Sequence, residues 1–486
     1  MRLTRRQLLA GIAASLPLGA YGQVARPPAR AGRITPPLGL EQILRNSDLG
    51  RNAGFALLDL QSGRELEAHN PRLARPPASV TKIMTALYAE AKLGAGYRFE
   101  TQILATGTLA NGTLSGDLYL VGSGDPQLDT DDLNALVAQI RAAGVRRIAG
   151  RYFVVSSALP WISQIDEGQP LQAGYNATVA GLNLNFNRVY FDWKRESGGY
   201  RVSLDARSER VRPQVSVAQM RVVRRASPVY GYERRGGIER WSVSSAALGR
   251  SGGRWLPVRD PARYAAEVFQ VLAAAEGITL PQALAATQAP QGRVLARVLS
   301  NDLRRIQREM LRYSNNLTAE VLGLAATKSA GGRGDSLRRS AQEMARWVTR
   351  QSSRSRPNLY NHSGLSDQSR MTAREMTSFL AKADSQMGLS NILRESGLEN
   401  GRGDEVEMPG IRILAKSGTL DFTRGLAGYI EKDGQNRFAF AIFAADMAAR
   451  RAMTQEAGHP PGARRWRDRA KAQEKALLYR WASALS

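Results

Sequence analysis

Ser79 and Lys82 stand three positions apart in the segment Ala78-Ser79-Val80-Thr81-Lys82. On a helix, residues with this spacing lie on one face, so the hydroxyl and the amine can touch. A serine hydroxyl becomes a strong nucleophile when a neighbouring base takes its proton, and lysine can be that base when burial or a nearby cation lowers its pKa. The mostly apolar residues 83–93 predict a buried helix. We therefore predict a nucleophile at Ser79 and a base at Lys82.

Two further short motifs follow in chain order. Ser314-Asn315-Asn316 falls between two predicted helices, and Lys416-Ser417-Gly418-Thr419 falls at the end of a predicted strand. Their hydroxyl, amide and ammonium groups can relay a proton and bind a carbonyl or a carboxylate. Each motif alone occurs often by chance, but the three in this order on helix, loop and strand indicate a single site.

Each motif also has a purely structural interpretation. Serine favours the N-cap of a helix, which would account for Ser79 and for Ser314 ahead of the helix that follows it. Lys416 would then be a solvated charge at the end of a strand. These interpretations do not account for the shared order of the motifs.

The three motifs are the set found in penicillin-binding proteins and class A β-lactamases. Ser314 follows Ser79 by 314 − 79 = 235 residues, which is more than a β-lactamase needs, so this interval must contain inserted domains. The chain thus resembles the class C low-molecular-mass penicillin-binding proteins, the D-alanyl-D-alanine carboxypeptidase/endopeptidase family. The resemblance covers about residues 40–485 and includes four matching stretches: residues 116–126, 182–187, 313–317 and 363–366.

The chain departs from the pattern of that family at two positions. Asn315 stands where acidic residues are common, and Ser417 stands where threonine is common. Both are side positions of their motifs, and we expect activity to survive these departures.

The resemblance implies catalytic roles for three residues. Ser79 would attack the carbonyl between two D-alanines, Lys82 would take the serine proton, and Ser314 would pass a proton to the departing amine. The backbone N–H groups of Ser79 and Thr419 would form the oxyanion hole.

The resemblance also implies how substrate is bound. Asn316 would donate to the peptide carbonyl, and Lys416, Ser417, Gly418 and Thr419 would form the rest of the substrate site. Lys416 and the Thr419 hydroxyl would bind the terminal carboxylate. β-Lactams mimic this carboxylate and amide, so the inhibited state would be an acyl-serine.

A weaker analogy concerns the side chain of the substrate. Asp166 and Glu167 would meet the free amine of a diamino acid, or would simply lie in an exposed loop.

The elements that position these residues alternate between helix and strand. Periodicity predicts a hairpin over residues 54–70 and a strand over 182–193. Helices are predicted over residues 303–312, 316–327, 337–349, 372–383 and 465–484, and strands over 412–416, 425–431 and 437–445. The resemblance implies an α/β (α+β) fold, with a penicillin-binding-protein/β-lactamase-like transpeptidase domain whose antiparallel sheet is flanked by helices and split by inserted β-rich domains.

Composition suggests a division of the chain. Residues 1–22 are typical of a signal peptide, with paired arginines that resemble a twin-arginine signal, although a plain secretory signal fits nearly as well. We expect a periplasmic enzyme without an integral membrane segment after signal cleavage. The other expected parts are a linker (23–39), a peptidase domain (40–96 and 290–486) and inserted domains (97–289) with a small β subdomain at about 194–258.

The net charge of the chain is +25, or 25 − 3 = +22 without the three arginines of the predicted signal peptide. Such a charge suits an anionic partner such as an acidic wall polymer, and it equally suits solubility alone. The arginines are scattered and no nucleic-acid-binding motif is found, so we expect no nucleic-acid partner. The expected partners are peptidoglycan peptide and β-lactams, and no metal or other cofactor is expected.

Two other functions are compatible with the sequence. One is a β-lactamase or esterase on the same fold, and the other is a non-catalytic protein that binds the cell wall or nucleic acid through its charge.

Overall fold

The computed structural model describes residues 34–400, 402–453 and 460–486. The predicted signal peptide and most of the predicted linker lie outside the described residues. The helices are α1 Leu40–Ser47, α2 Thr81–Leu93, α3 Thr130–Ala142, α4 Pro261–Ala275, α5 Leu303–Tyr313, α6 Asn316–Ser329, α7 Leu337–Gln351, α8 Ala373–Met387, α9 Met447–Arg451 and α10 Ala463–Ser483. Each helix in the described part of the chain is too short or too polar to cross a lipid bilayer.

The strands of the first half of the chain are β1 Ala53–Asp59, β2 Glu65–His69, β3 Glu100–Ala105, β4 Leu109–Ala110, β5 Thr113–Leu114, β6 Leu118–Gly122, β7 Arg147–Ile148, β8 Tyr152–Val155, β9 Arg188–Glu196, β10 Gly199–Asp205, β11 Ala218–Val223, β12 Tyr230–Arg235 and β13 Ile238–Ser244. Those of the second half are β14 Ser251–Pro257, β15 Ala283–Ala286, β16 Arg293–Leu299, β17 Arg394–Ser396, β18 Leu398–Glu399, β19 Glu405–Val406, β20 Ile411–Leu420, β21 Thr423–Lys432 and β22 Gln435–Ala445.

The largest sheet of the described residues is a six-stranded antiparallel sheet in the order β17-β20-β21-β22-β1-β2. Its first two strands in the chain are the predicted hairpin, which is confirmed. Along β22, Phe440 and Ile442 pack with α1 and α10, whereas Ala441 and Phe443 pack with the helices on the opposite face. Because helices cover both faces, this strand is apolar along most of its length.

On the face of the sheet opposite α1 and α10, helices α5, α6, α7 and α8 pack around α2. Residues 81–89 of this helix are all buried, as the sequence predicted, and Ile83, Met84 and Leu87 share one core with apolar side chains of α5, α6, α7 and α8. A helix that is buried on all sides is a rigid support for the groups at its N-terminus.

The chain between α2 and α5 forms four smaller sheets. Their orders are β15-β8-β6-β3-β16, β10-β9-β14, β11-β13-β12 and β4-β5-β7. These sheets share a separate apolar core, which contains Tyr152, Trp241 and Phe269. The exact domain bounds given above stay a prediction.

The predicted strand over residues 182–193 is wrong in its first half. Asn185, Phe186 and Asn187 have φ values of 51°, 57° and 55°, so the backbone turns here and β9 begins only at Arg188. Asparagine tolerates this left-handed conformation better than most residues. The Asn187 amide stabilises the turn, since it donates to the Thr178 carbonyl at 2.8 Å.

Candidate active site

Ser79 lies in a single 3₁₀ turn, Ala78–Val80, that leads into α2. The N-cap of α2 is Val80, which provides no side-chain cap, so the interpretation of Ser79 as a helix cap is wrong. Ala78 has a φ of +47°, a conformation that costs free energy in a residue with a Cβ and that is frequent next to functional groups. The turn therefore presents the half-buried Ser79 hydroxyl rather than using it for capping.

Lys82 is fully buried and makes three hydrogen bonds. Its Nζ lies 3.0 Å from Ser79 Oγ, 2.8 Å from Asn316 Oδ1 and 2.8 Å from the Ser363 carbonyl oxygen. Burial is the main cause that lowers the pKa of Lys82 well below its ordinary value; the charge of Lys416 lowers it further, and the carboxyl of Glu320 opposes the shift.

These partners orient the amine. The Asn316 amide oxygen and the Ser363 carbonyl oxygen can only accept hydrogen bonds. A neutral lysine has two N–H protons and one lone pair, so two protons on these two acceptors leave the lone pair directed at Ser79. The geometry thus suits a base that receives the serine proton.

The second motif reaches the site through Asn316, the first residue of α6. Asn315 is the N-cap of this helix and accepts a hydrogen bond from Thr318 N at 2.9 Å, so the interpretation of Ser314 as the cap of the following helix is wrong. Ser314 instead ends α5 in the left-handed conformation, with a φ of +56°. Asn315, where the family commonly has an acidic residue, therefore has a structural role.

The third motif lies within β20, which continues to Leu420, so the predicted end of this strand at residue 416 is wrong. The longer strand results from pairing with β21, which the strand's own sequence does not reveal. Ser417 and Thr419 are exposed, whereas Lys416 and Gly418 are buried, as expected for alternating faces.

Gly418 allows β20 to contact the nucleophile. A Cβ at this position would lie 2.6 Å from Ser79 N and 2.8 Å from Ala78 Cβ. Only glycine therefore allows the strand to approach this closely.

Lys416 is 5% exposed, so the interpretation of this residue as a solvated charge is wrong. Burial, followed by the charges of Arg424 and Arg394, lowers its pKa to about 7. Both lysines of the site therefore titrate far below ordinary lysine, which is typical of groups in an active site.

Sequence analysis gave no role to Glu320 or to Ser363, although residues 363–366 were noted as a family stretch. Glu320 is fully buried on α6, and its carboxylate accepts hydrogen bonds from the backbone N–H groups of His362 and Ser363, each at 2.9 Å. This carboxylate therefore holds the loop whose Ser363 carbonyl orients Lys82. Gly364 packs the same loop against Ala78, where a Cβ would lie 1.8 Å from the carbonyl oxygen.

We expect Glu320→Gln to destabilise the protein and to slow acylation by penicillin. The two carboxylate oxygens of Glu320 accept one backbone N–H each, whereas a glutamine side chain has a single oxygen. One of the two N–H groups would therefore be left buried without a partner, at a cost of about 1–3 kcal/mol. Urea denaturation and stopped-flow acylation would measure both effects. Glu343→Gln on α7 is the control, since it removes a partly exposed ion pair with Arg346. Unchanged stability and acylation in Glu320→Gln would contradict this role.

The inserted region contributes a loop to the site. The Tyr175 carbonyl accepts a hydrogen bond from Asn316 Nδ2 at 3.0 Å, a contact that sequence analysis missed. Asp166 is half-buried, accepts from Gly168 N at 2.9 Å and is hydrogen-bonded to Ser366. Burial raises the pKa of its carboxyl, against the effect of the Ser366 hydroxyl. Glu167 is exposed.

In this site the Ser79 hydroxyl faces the lone pair of a buried amine, and a strand that carries a glycine lies beside the backbone N–H of the serine. Such an arrangement can transfer an acyl group through a serine ester. On an antiparallel sheet flanked by helices, these features define the class of penicillin-binding proteins and β-lactamases.

The chain belongs to the D-Ala-D-Ala carboxypeptidase 3 (S13) family, whose profile matches residues 38–459. It is 26% identical over 420 residues to the D-alanyl-D-alanine carboxypeptidase DacB of Haemophilus influenzae, a match that covers 81% of this chain and 85% of the relative. A D-alanyl-D-alanine carboxypeptidase of an Actinomadura species is 31% identical over 148 residues, which are 30% of this chain and 28% of that one.

A solved structure shows the same fold. Penicillin-binding protein 4 of H. influenzae matches with a TM-score of 0.73 and 22% identity, over 91% of this chain and 98% of that one. The predicted fold, family and enzyme class, a serine-type carboxypeptidase, are therefore confirmed. The roles of individual residues stay predictions.

Proposed function

We propose that this enzyme is a D-alanyl-D-alanine carboxypeptidase/endopeptidase that acts on peptidoglycan stem peptides through an acyl-Ser79 intermediate. The observation that carries the proposal is the arrangement around Lys82 Nζ, which is buried, lies 3.0 Å from Ser79 Oγ and is oriented by two further acceptors.

Acylation begins when neutral Lys82 takes the proton of Ser79 and the serine oxygen attacks the carbonyl between the two D-alanines. The backbone N–H groups of Ser79 and Thr419 stabilise the oxyanion, a role supported by the close approach of Gly418 to Ser79 N. Ser314 passes its hydroxyl proton to the nitrogen of the departing D-alanine as the C–N bond breaks, and Lys82 gives Ser314 the proton taken from Ser79, so that Lys82 is neutral again. Water then attacks the ester while neutral Lys82 takes a proton from it, and Lys82 returns this proton to Ser79 Oγ as the ester C–O bond breaks.

Substrate is held on two sides of the scissile bond. Asn316 donates to a peptide carbonyl, and Lys416 with the exposed hydroxyls of Ser417 and Thr419 binds the carboxylate beyond the bond. Asp166, which is hydrogen-bonded to Ser366 in the loop that carries Ser363, would bind the amine of a diamino-acid side chain.

β-Lactams would acylate Ser79 and persist as an ester. Penicillin-binding protein 4 of H. influenzae forms a complex with a β-lactam. Export to the periplasm fits this substrate, and the N-terminal segment that would direct it lies outside the described residues.

Two measurements on the purified protein test the proposal. Intact-protein mass spectrometry should show one persistent penicillin adduct, and a pentapeptide ending in D-Ala-D-Ala should release D-alanine. Rapid turnover of penicillin without D-alanine release would instead indicate a β-lactamase. Salt-dependent wall binding with neither adduct nor D-alanine release would indicate a non-catalytic protein.

We expect a bell-shaped dependence of kcat/KM on pH. Activity should rise with pH as Lys82 loses its proton, because only the neutral amine accepts the serine proton. It should fall above about pH 7, where Lys416 loses the charge that binds the carboxylate. The two apparent pKa values of this profile belong to the coupled pair of lysines rather than to either lysine alone.

Lys416→Arg separates the two limbs of this profile. Arginine stays charged throughout, so the alkaline limb should move to higher pH while the acid limb stays. Lys432→Arg, at a lysine that binds the Leu485 carbonyl, should leave the profile unchanged. An alkaline limb that does not move in Lys416→Arg would rule out Lys416 as its source.

A further inference from the structure

Arg424 lies on β21 directly opposite Thr419 of β20. Its Nη1 donates to Thr419 Oγ1 at 2.6 Å. Its Nε lies 3.0 Å and 2.8 Å from the two carboxylate oxygens of Glu474, on the C-terminal helix α10. The side chains of Arg424 and Glu474 are only 13% and 5% exposed, whereas Thr419 is exposed. The guanidinium is therefore bound on one side by a buried carboxylate and on the other by the exposed Thr419 hydroxyl.

This contact determines which way the threonine hydroxyl can donate. A guanidinium has donors and no acceptor, and a threonine hydroxyl has a single proton. Thr419 must therefore accept from Arg424, and its own proton remains for another acceptor.

If the Arg424–Glu474 ion pair served only to hold α10 against the sheet, Arg424 would not need its hydrogen bond to Thr419. That third bond joins the pair to the motif proposed above to bind the carboxylate of the substrate. Arg424 also lies close enough to Lys416 for its charge to act on that lysine.

We propose that Glu474, Arg424 and Thr419 form a relay that makes the enzyme specific for an α-carboxylate on the leaving-group side of the scissile amide. Glu474 holds Arg424, Arg424 directs the Thr419 hydroxyl, and the hydroxyl donates to the carboxylate. Arg424 is thus a positioning residue that acts through Thr419. The inference rests on the proposed function, because it names how that site recognises its substrate.

The test compares two peptides that differ only at the C-terminus, one ending in D-Ala-D-Ala as the free acid and the other as its amide. In Arg424→Gln, kcat/KM for the acid should fall about 10- to 100-fold, the usual effect of one charge-assisted hydrogen bond. Turnover of the amide should change by less than about twofold, so the acid-to-amide preference collapses. Thr419→Val should cause the same collapse, and the double variant should add little to it.

Two further variants keep the result interpretable. Arg412→Gln removes an arginine of β20 that pairs with Glu395 and Glu431, and it should leave the preference unchanged. If Arg424→Gln does not fold, Thr419→Val decides the question, since it retains the Arg424–Glu474 pair.

Equal losses on both peptides, or no loss, in a folded Arg424→Gln would overturn the relay while the wild type still releases D-alanine. A wild type that neither releases D-alanine nor binds penicillin covalently would overturn the proposed function itself, and the relay with it.

Discussion

Ser79→Ala is expected to abolish covalent labelling by penicillin and to lower the rate of D-alanine release by about 10⁴-fold or more. Alanine has no oxygen with which to form the ester, so both reactions lose their covalent step. The fold should survive, because Ser79 is only half-buried and does not cap α2. Intact-protein mass spectrometry and a D-alanine assay measure the two losses, and circular dichroism measures the fold.

Ser62→Ala is a suitable control for this variant. Ser62 lies in the exposed turn between β1 and β2, where its hydroxyl donates to Asp59 at 3.0 Å. It should retain full labelling and full activity. A penicillin adduct that persists in Ser79→Ala would place the nucleophile on another residue.

The second large effect is expected for Lys82→Met, which should slow acylation of Ser79 by about 10²- to 10⁴-fold, the usual contribution of a general base. Methionine is unbranched and apolar, so it can occupy the buried space around the amine. Asn316 Oδ1 and the Ser363 carbonyl would lose their donor, while the cost of burying an amine would disappear. We therefore expect a large kinetic effect with a small change in stability.

Lys328→Met is a control of the same chemistry, since the exposed Lys328 amine binds only the Ala158 carbonyl among its described contacts. It should acylate at the wild-type rate. Lys82→Arg should be as slow as Lys82→Met, because arginine does not lose its proton at working pH. Rapid acylation of Ser79 in either Lys82 variant would mean that another group takes the serine proton.

Local patterns accounted for much of the fold. The β1–β2 hairpin and the helices around the motifs were predicted because short-range periodicity and turn residues encode them. Predictions failed where contacts outside the segment itself decide the backbone conformation. Pairing with β21 extends β20 past Lys416, and the contact of Asn187 with Thr178 stabilises a turn where a strand was expected.

The sequence by itself determined the kinds of reactive group, their order and the family, because these depend on residue identity and spacing. Only the tertiary structure identified the roles of Glu320, Ser363, Tyr175 and Arg424, because these roles follow from contacts and not from a motif. The Ser363 carbonyl, for example, binds Lys82 from 281 positions away in the chain. The reactivity of Lys82 also belongs to the tertiary structure, because its lowered pKa results from burial among side chains distant in sequence.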